Sequence, residues 1–183
     1  MCKKRRTSVQ KNVIYPQRIG TRPVTTDTNP HRQLDQHAPL ELQEKLFARI
    51  HALPGIRIEA SGIPEFNEEG AVAAVGTRAF VLDETLAKGP REAFLVGTEF
   101  AHIHSAPEGA LHLCLPDSVR QQVLDGGWGE PHPLAGQVIQ GFHASPDACL
   151  IFGPRTEDEF NTIWQIVQDS YAFARGESIV TGL

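Results

Sequence analysis

The stretch from Thr98 to Leu115 constrains the fold more than any other. It reads as a β-hairpin. Thr98 to His104 form one strand, Ser105 to Gly109 a loop with Pro and Gly, and Ala110 to Leu115 the return strand. If the loop closes symmetrically, His104 faces Ala110 and His102 faces His112. Side chains alternate along a strand, so His102, His104 and His112 share one face, and Ala101, Ile103, Leu111 and Leu113 the other. Directly opposed residues have Cβ atoms about 4.5–5.5 Å apart, so the imidazoles would crowd together. A one-residue slip would separate them, which makes the register the decisive expectation. Cys114 falls on the histidine face, as a soft ligand, a nucleophile or a small buried hydrophobe.

Around this hairpin the pattern predicts an α+β fold: an antiparallel sheet with the histidine-bearing hairpin at its centre and helices packed on one face. Leu42, Leu46, Phe47, Ile50 and Leu53 repeat at helical spacing after Pro39 and stop before Pro54-Gly55. Ile56 to Ala60 alternates like a half-exposed strand, and Ala71 to Val75 and Ala79 to Leu82 are β-compatible around Gly76. Asp117 to Asp125 is a short helix ended by Gly126, and Ala148 to Phe152 a short buried strand. Thr156 and Glu159 form a capping box. The helix behind it carries Phe160, Ile163, Trp164, Val167 and Tyr171 as one stripe and ends by Gly176.

Residues 1–36, punctuated by Pro16, Pro23 and Pro30, read as an extended or mobile arm, 37–176 as the domain and 177–183 as a tail. Val13-Ile14-Tyr15 could dock on the domain or on a second subunit of a homo-oligomer. The net charge of −5 excludes a general nucleic-acid binder. The basic run Lys3 to Arg6 precedes no apolar segment, so neither a secretory signal nor a membrane span is expected. Cys2, Cys114 and Cys149 have no paired spacing, which suits a reducing cytoplasm.

Three chemistries fit the central residues. His-X-His with an opposed third imidazole suits zinc, iron, copper or nickel with open positions, so His102, His104 and His112 form a candidate ligand set. The same imidazoles suit acid–base work near neutral pH, where mutual repulsion favours a neutral base beside a second imidazole that donates a hydrogen bond to a developing oxyanion. The third use is binding without turnover. Glu99, by alternation, sits on the opposite face, and the loop residue Glu108 need not point inward. In the run from Gly126 to Gly136, glycines surround Trp128 and prolines flank His132, a way to hold an indole and an imidazole on a loop. Arg78 lies among apolar neighbours and either points to water or binds an acidic ligand. His31 and His37 fall in or beside the arm. There is no phosphate loop and no Gly-X-Ser-X-Gly nucleophile elbow.

Several of these segments, in this order, resemble the fungal luciferase family. They are Glu99-Phe100-Ala101-His102-Ile103-His104, Leu111-His112-Leu113, Gly127-Trp128-Gly129, His132-Pro133-Leu134-Ala135-Gly136 and Gly153-Pro154-Arg155. The resemblance covers roughly Arg91 to Ala174. It implies an oxygenase that joins O2 to a small enolisable aromatic or pyrone-type molecule, needing no metal or organic cofactor. It implies that His102, His104, His112 and His132 deprotonate the enol and hold its anion. It further implies that Trp128 lines an aromatic pocket and that Arg155 anchors an anionic group; Phe100, Cys114 and Arg78 stand beside them as further candidate substrate contacts. The chain differs from the fungal enzymes in the Ser105 to Gly109 loop and in having no hydrophobic amino-terminal segment, so attachment to a membrane is not expected.

Overall fold

The computed structural model describes residues 15–67, 70–73 and 77–179, with side chains for 15–63 and 77–179. Cys2, the Lys3 to Arg6 run, Val13, Ile14, Val75 and Gly76 lie outside the described residues, as does the tail beyond 179. The elements in chain order are α1 (Leu40–His51), β1 (Ile56–Ala60), β2 (Pro64–Asn67), β3 (Gly70–Ala73), β4 (Arg78–Leu82), β5 (Glu99–Ile103), β6 (Leu111–Cys114), α2 (Asp117–Asp125), β7 (Gly129–Pro131), β8 (Val138–Ile139), β9 (Phe142–His143), β10 (Ala148–Ile151) and α3 (Glu157–Ala174).

Six strands form one antiparallel sheet in the order β1-β4-β5-β6-β10-β7, and the expected hairpin lies at its middle. The fold is α+β, as the succession of strands without crossover helices requires. The hairpin register is the expected one: His102 pairs with His112, and the His104 N–H donates to the Ala110 carbonyl at 2.9 Å. That register fixes two faces. Phe80, Leu82, Ala101, Ile103, Leu111, Leu113, Cys149 and Ile151 form the main core with α1 and α3. Leu42, Leu46 and Ile50 of α1 are buried there. From α3 come Phe160, Ile163, Val167 and Tyr171, joined by Ile166 and Ala174; Trp164 is only partly buried, with Arg49 over its ring at 5.0 Å. Thr156 caps α3 as expected, accepting the Glu159 N–H at 3.2 Å.

The opposite face carries one row of paired residues, Ala79, His102, His112, Leu150 and Glu130, on five adjacent strands. The described arm packs on the domain instead of extending from it. At its start Tyr15 is buried on the helix side with its hydroxyl donating to Asp169, and the Arg18 N–H donates to the Gly126 carbonyl at 2.9 Å; farther on, His31 and Arg32 cover the face opposite the helices, and the Gly153 N–H donates to Gln33 Oε1 at 2.9 Å. The glycine-rich run is partly a strand, because Gly129 pairs with Ile151. A Cβ on Gly129 would lie 2.2 Å from the Leu150 carbonyl oxygen, so only glycine lets β7 approach β10 this closely. Among the described residues no helix is long and apolar enough to cross a membrane.

Candidate functional site

Five imidazoles meet on the arm-covered face: His31, His102, His104, His112 and His132, all buried. The hairpin supplies the three expected from alternation. His132 follows β7, and its backbone N–H donates to the Ala148 carbonyl at 3.0 Å. His31 comes from the arm. The rings touch in a cluster, with centroids 4.7–4.9 Å from His112 for His132, His104 and His102. The cavity they line with Pro30, Arg32, Ile63 and Thr77 has a volume of about 30 Å³. An apolar slot of about 20 Å³, lined by Leu95, Leu134, Phe142 and Ala148, shares His132 and Ile63 with it.

Three imidazoles each hold a buried carboxylate. His102 Nδ1 lies 2.7 Å from Glu99 Oε1, His104 Nδ1 2.8 Å from Glu108 Oε2, and His31 Nε2 2.7 Å from Glu130 Oε1. Each carboxylate is held in turn. Glu99 accepts from Ser61 Oγ at 2.8 Å and the Gly62 N–H at 2.9 Å; Glu108 pairs with Arg32, and Glu130 with Arg22. The other nitrogens converge on His112. Its Nδ1 lies 2.9 Å from His102 Nε2 and 3.3 Å from His104 Nε2, and its Nε2 lies 3.2 Å from His31 Nδ1. His132 Nδ1 instead accepts the Leu134 N–H at 3.1 Å.

Burial sets the charge. Desolvation, then the neighbouring His104, pushes His31 down to about 4; desolvation, then His31, pushes His132 down to about 3. His112 is held well below the ordinary imidazole range by burial and then by its four neighbours, and burial also lowers His104. Burial alone would raise Glu108, but His104 and Arg32 hold it below the ordinary carboxylate range.

Several expectations need correction. Glu99 faces the histidines. Phe80 pairs with Ala101 but Val81 with Glu99, so Phe100 is the extra residue of a β-bulge and the alternation shifts there. Phe100 consequently lies in the helix-side core, 6.5 Å from Phe80 and 5.7 Å from Tyr171, away from the cavity. Glu108 points inward, because Arg32 and His104 hold it. Trp128 does not join His132: its indole N–H donates to the Pro16 carbonyl at 2.6 Å and anchors the arm. Arg155 grips Glu159, Gln36 and the Ile19 carbonyl, far from the cluster. Arg78 pairs with Glu44 at 3.1 Å and lies over the Phe47 ring at 3.9 Å. Cys114 lies on the histidine face as expected, but as a small buried hydrophobe packed with Leu95 and Ala148, and burial pushes its thiol up to about 12. His31 has no local signal, since its partners lie about 80–100 residues away. Glu130 was missed as well, because the glycine-rich run that holds it carries no strand pattern.

Residues 97–170 match the luciferase domain family, and this segment supplies four of the five imidazoles. The chain is a relative of the fungal luciferases. It is 27% identical over 172 residues to a luciferase of Armillaria mellea, covering 86% of this chain and 60% of that protein. A luciferase of Armillaria ostoyae is 28% identical over 173 residues, again covering 86% and 60%. One of Neonothopanus nambi is 35% identical over 75 residues, 41% of this chain and 27% of that protein. The chain thus spans about 60% of the length of the Armillaria relatives. No solved structure matches it.

Proposed function

We propose that this chain carries out luciferase-like oxygenase chemistry, joining O2 to a small enolisable molecule of the aromatic or pyrone class in the histidine pocket. The observation that supports this reading is the convergence of the family segment's imidazoles, with His31 from the arm, on one buried cavity. An enol reacts with O2 as its electron-rich anion. The pocket offers imidazole nitrogens to take the proton and N–H groups to hold the oxyanion. His132 suits the second role, because the Leu134 N–H occupies its Nδ1 and leaves the proton on Nε2. The slot beside His132 is apolar, as the hydrocarbon part of such a substrate needs, but at about 20 Å³ it has to widen to take one. The cavity itself has room for about an ion and a water, so a substrate of this class requires the pocket to widen.

The test is O2 uptake by the purified chain on addition of a hydroxylated styryl-pyrone or a catechol. Uptake that is lost in His102→Ala and His132→Ala supports the reading. Binding of the pyrone with no O2 consumed would leave a binding protein and remove the oxygenase.

A further inference from the structure

The carboxylates assign the tautomers in the cluster. A buried carboxylate accepts hydrogen bonds, so Glu99 places the His102 proton on Nδ1 and Glu108 places the His104 proton on Nδ1. Both rings therefore turn an Nε2 lone pair inward. Glu130 likewise places the His31 proton on Nε2 and leaves the Nδ1 lone pair facing His112 Nε2. His112 can satisfy His31 by donating from Nε2. Its own Nδ1 is then a third lone pair, 2.9 Å and 3.3 Å from the other two, with no proton between them. Three lone pairs at such distances repel unless something positive sits among them.

We infer that His102 Nε2, His104 Nε2 and His112 Nδ1 hold a divalent transition-metal ion. These nitrogens lie within 4.8 Å of one another. Two nitrogens on one ion at about 2.0–2.1 Å stand roughly 3 Å apart, the spacing of the two pairs that include His112 Nδ1. Imidazoles that donate their second N–H to a carboxylate are the usual outer support of such ligands, and both Glu99 and Glu108 provide it. The cavity of about 30 Å³ admits an ion and a water. All-imidazole ligands suit zinc, iron, copper, nickel or cobalt rather than magnesium or calcium. His31, His112 and His132 also lie close together, but that set is the weaker one: the Leu134 N–H occupies His132 Nδ1 and leaves its Nε2 protonated. The rival occupant of the first set is a proton, shared by His112 with His102 and His104. The inference stands on the ring geometry and not on the substrate proposed above, although it departs from the cofactor-free chemistry implied by the resemblance.

The experiment is Zn²⁺ titration by calorimetry of tag-free chain freed of metal by a chelator, with elemental analysis of the chain as purified. One ion per chain is expected, bound at least 100-fold more weakly by His104→Ala. Glu108→Gln, which keeps the side-chain shape, is expected to fold with unchanged circular dichroism and to bind about 10–100-fold more weakly. Equal Zn²⁺ affinity in the wild type, His104→Ala and Glu108→Gln would overturn the site. So would nitrogen NMR showing a doubly protonated His112 or His102 at neutral pH in Zn²⁺-saturated protein. Zn²⁺ bound without any O2 uptake keeps the site and removes the oxygenase reading. O2 uptake by a chain that binds no Zn²⁺ does the reverse.

Discussion

At the scale of single residues, the cluster is held by acid–imidazole pairs whose acids are themselves fixed. Glu99 relies on Ser61 and a backbone N–H, while Glu108 and Glu130 rely on arm arginines. Leaving any of these buried groups without its partner costs about 1–3 kcal/mol, so the rings have little freedom to reorient. Cys114 is packed with Leu95 and Ala148 on the same face of the sheet. Burial lifts its thiol to about 12, and Cys149 is raised by burial too, so neither is a thiolate near neutral pH. Iodoacetamide at pH 7 is therefore expected to leave both unmodified in the folded chain and to label both in urea, as read by mass spectrometry. Rapid labelling of native Cys114 would put a reactive thiol back in the site. The sequence showed these residues unevenly. Strand alternation found His102, His104 and His112 because their pairing is local. It failed at Glu99 and Phe100, because a bulge depends on the neighbouring strand and leaves no mark in the residues themselves.

At the scale of elements, the hairpin, α1, α2 and α3 were legible because their apolar spacing, turn residues and the Thr156 cap agree with the tertiary structure. β7 was not, since a glycine-rich run carries no strand pattern. Its pairing is nonetheless what brings Glu130 and His132 to the cluster. Gly129→Ala is expected to lower stability by about 1–3 kcal/mol through the clash with the Leu150 carbonyl. It should also weaken binding at the pocket by moving His132. Urea unfolding of this variant with the wild-type midpoint would show that β7 tolerates a side chain, and that close approach to β10 does not explain the glycine.

At the scale of the whole molecule, the arm turns a sheet face into a recessed pocket. It contributes His31, Arg22 and Arg32 to the cluster, and Tyr15, Trp128 and Arg155 fasten it. Of this, only docking near Tyr15 was anticipated in the sequence; otherwise the arm's prolines and polar residues read as an extended segment. Glu159 links the arm's anchor to α3. Burial alone would raise its carboxyl, but bonds from Arg155 and the nearby Arg18 hold it below the ordinary value of 4.5. A carboxyl depressed in the folded state stabilises fully above that ordinary value, and the contribution is lost as pH falls through the folded value. Glu159→Gln should therefore cost about 1.5–3 kcal/mol at neutral pH and progressively less below about pH 4.5. Urea midpoints of both proteins across that range check the sign; a gap that widened on acidification would contradict it.

The central claim is that reaction takes place in the pocket closed by the arm. It is tested most directly by the O2-uptake rate of His31→Asn beside Arg78→Ala, with the styryl-pyrone as substrate. His31→Asn removes the arm's imidazole from His112, and Arg78→Ala removes a side chain that faces Glu44 and Phe47 outside the pocket. The expected result is a fall of about 100-fold or more in His31→Asn with its secondary structure intact, and little change in Arg78→Ala. Wild-type O2 uptake in His31→Asn would contradict the account.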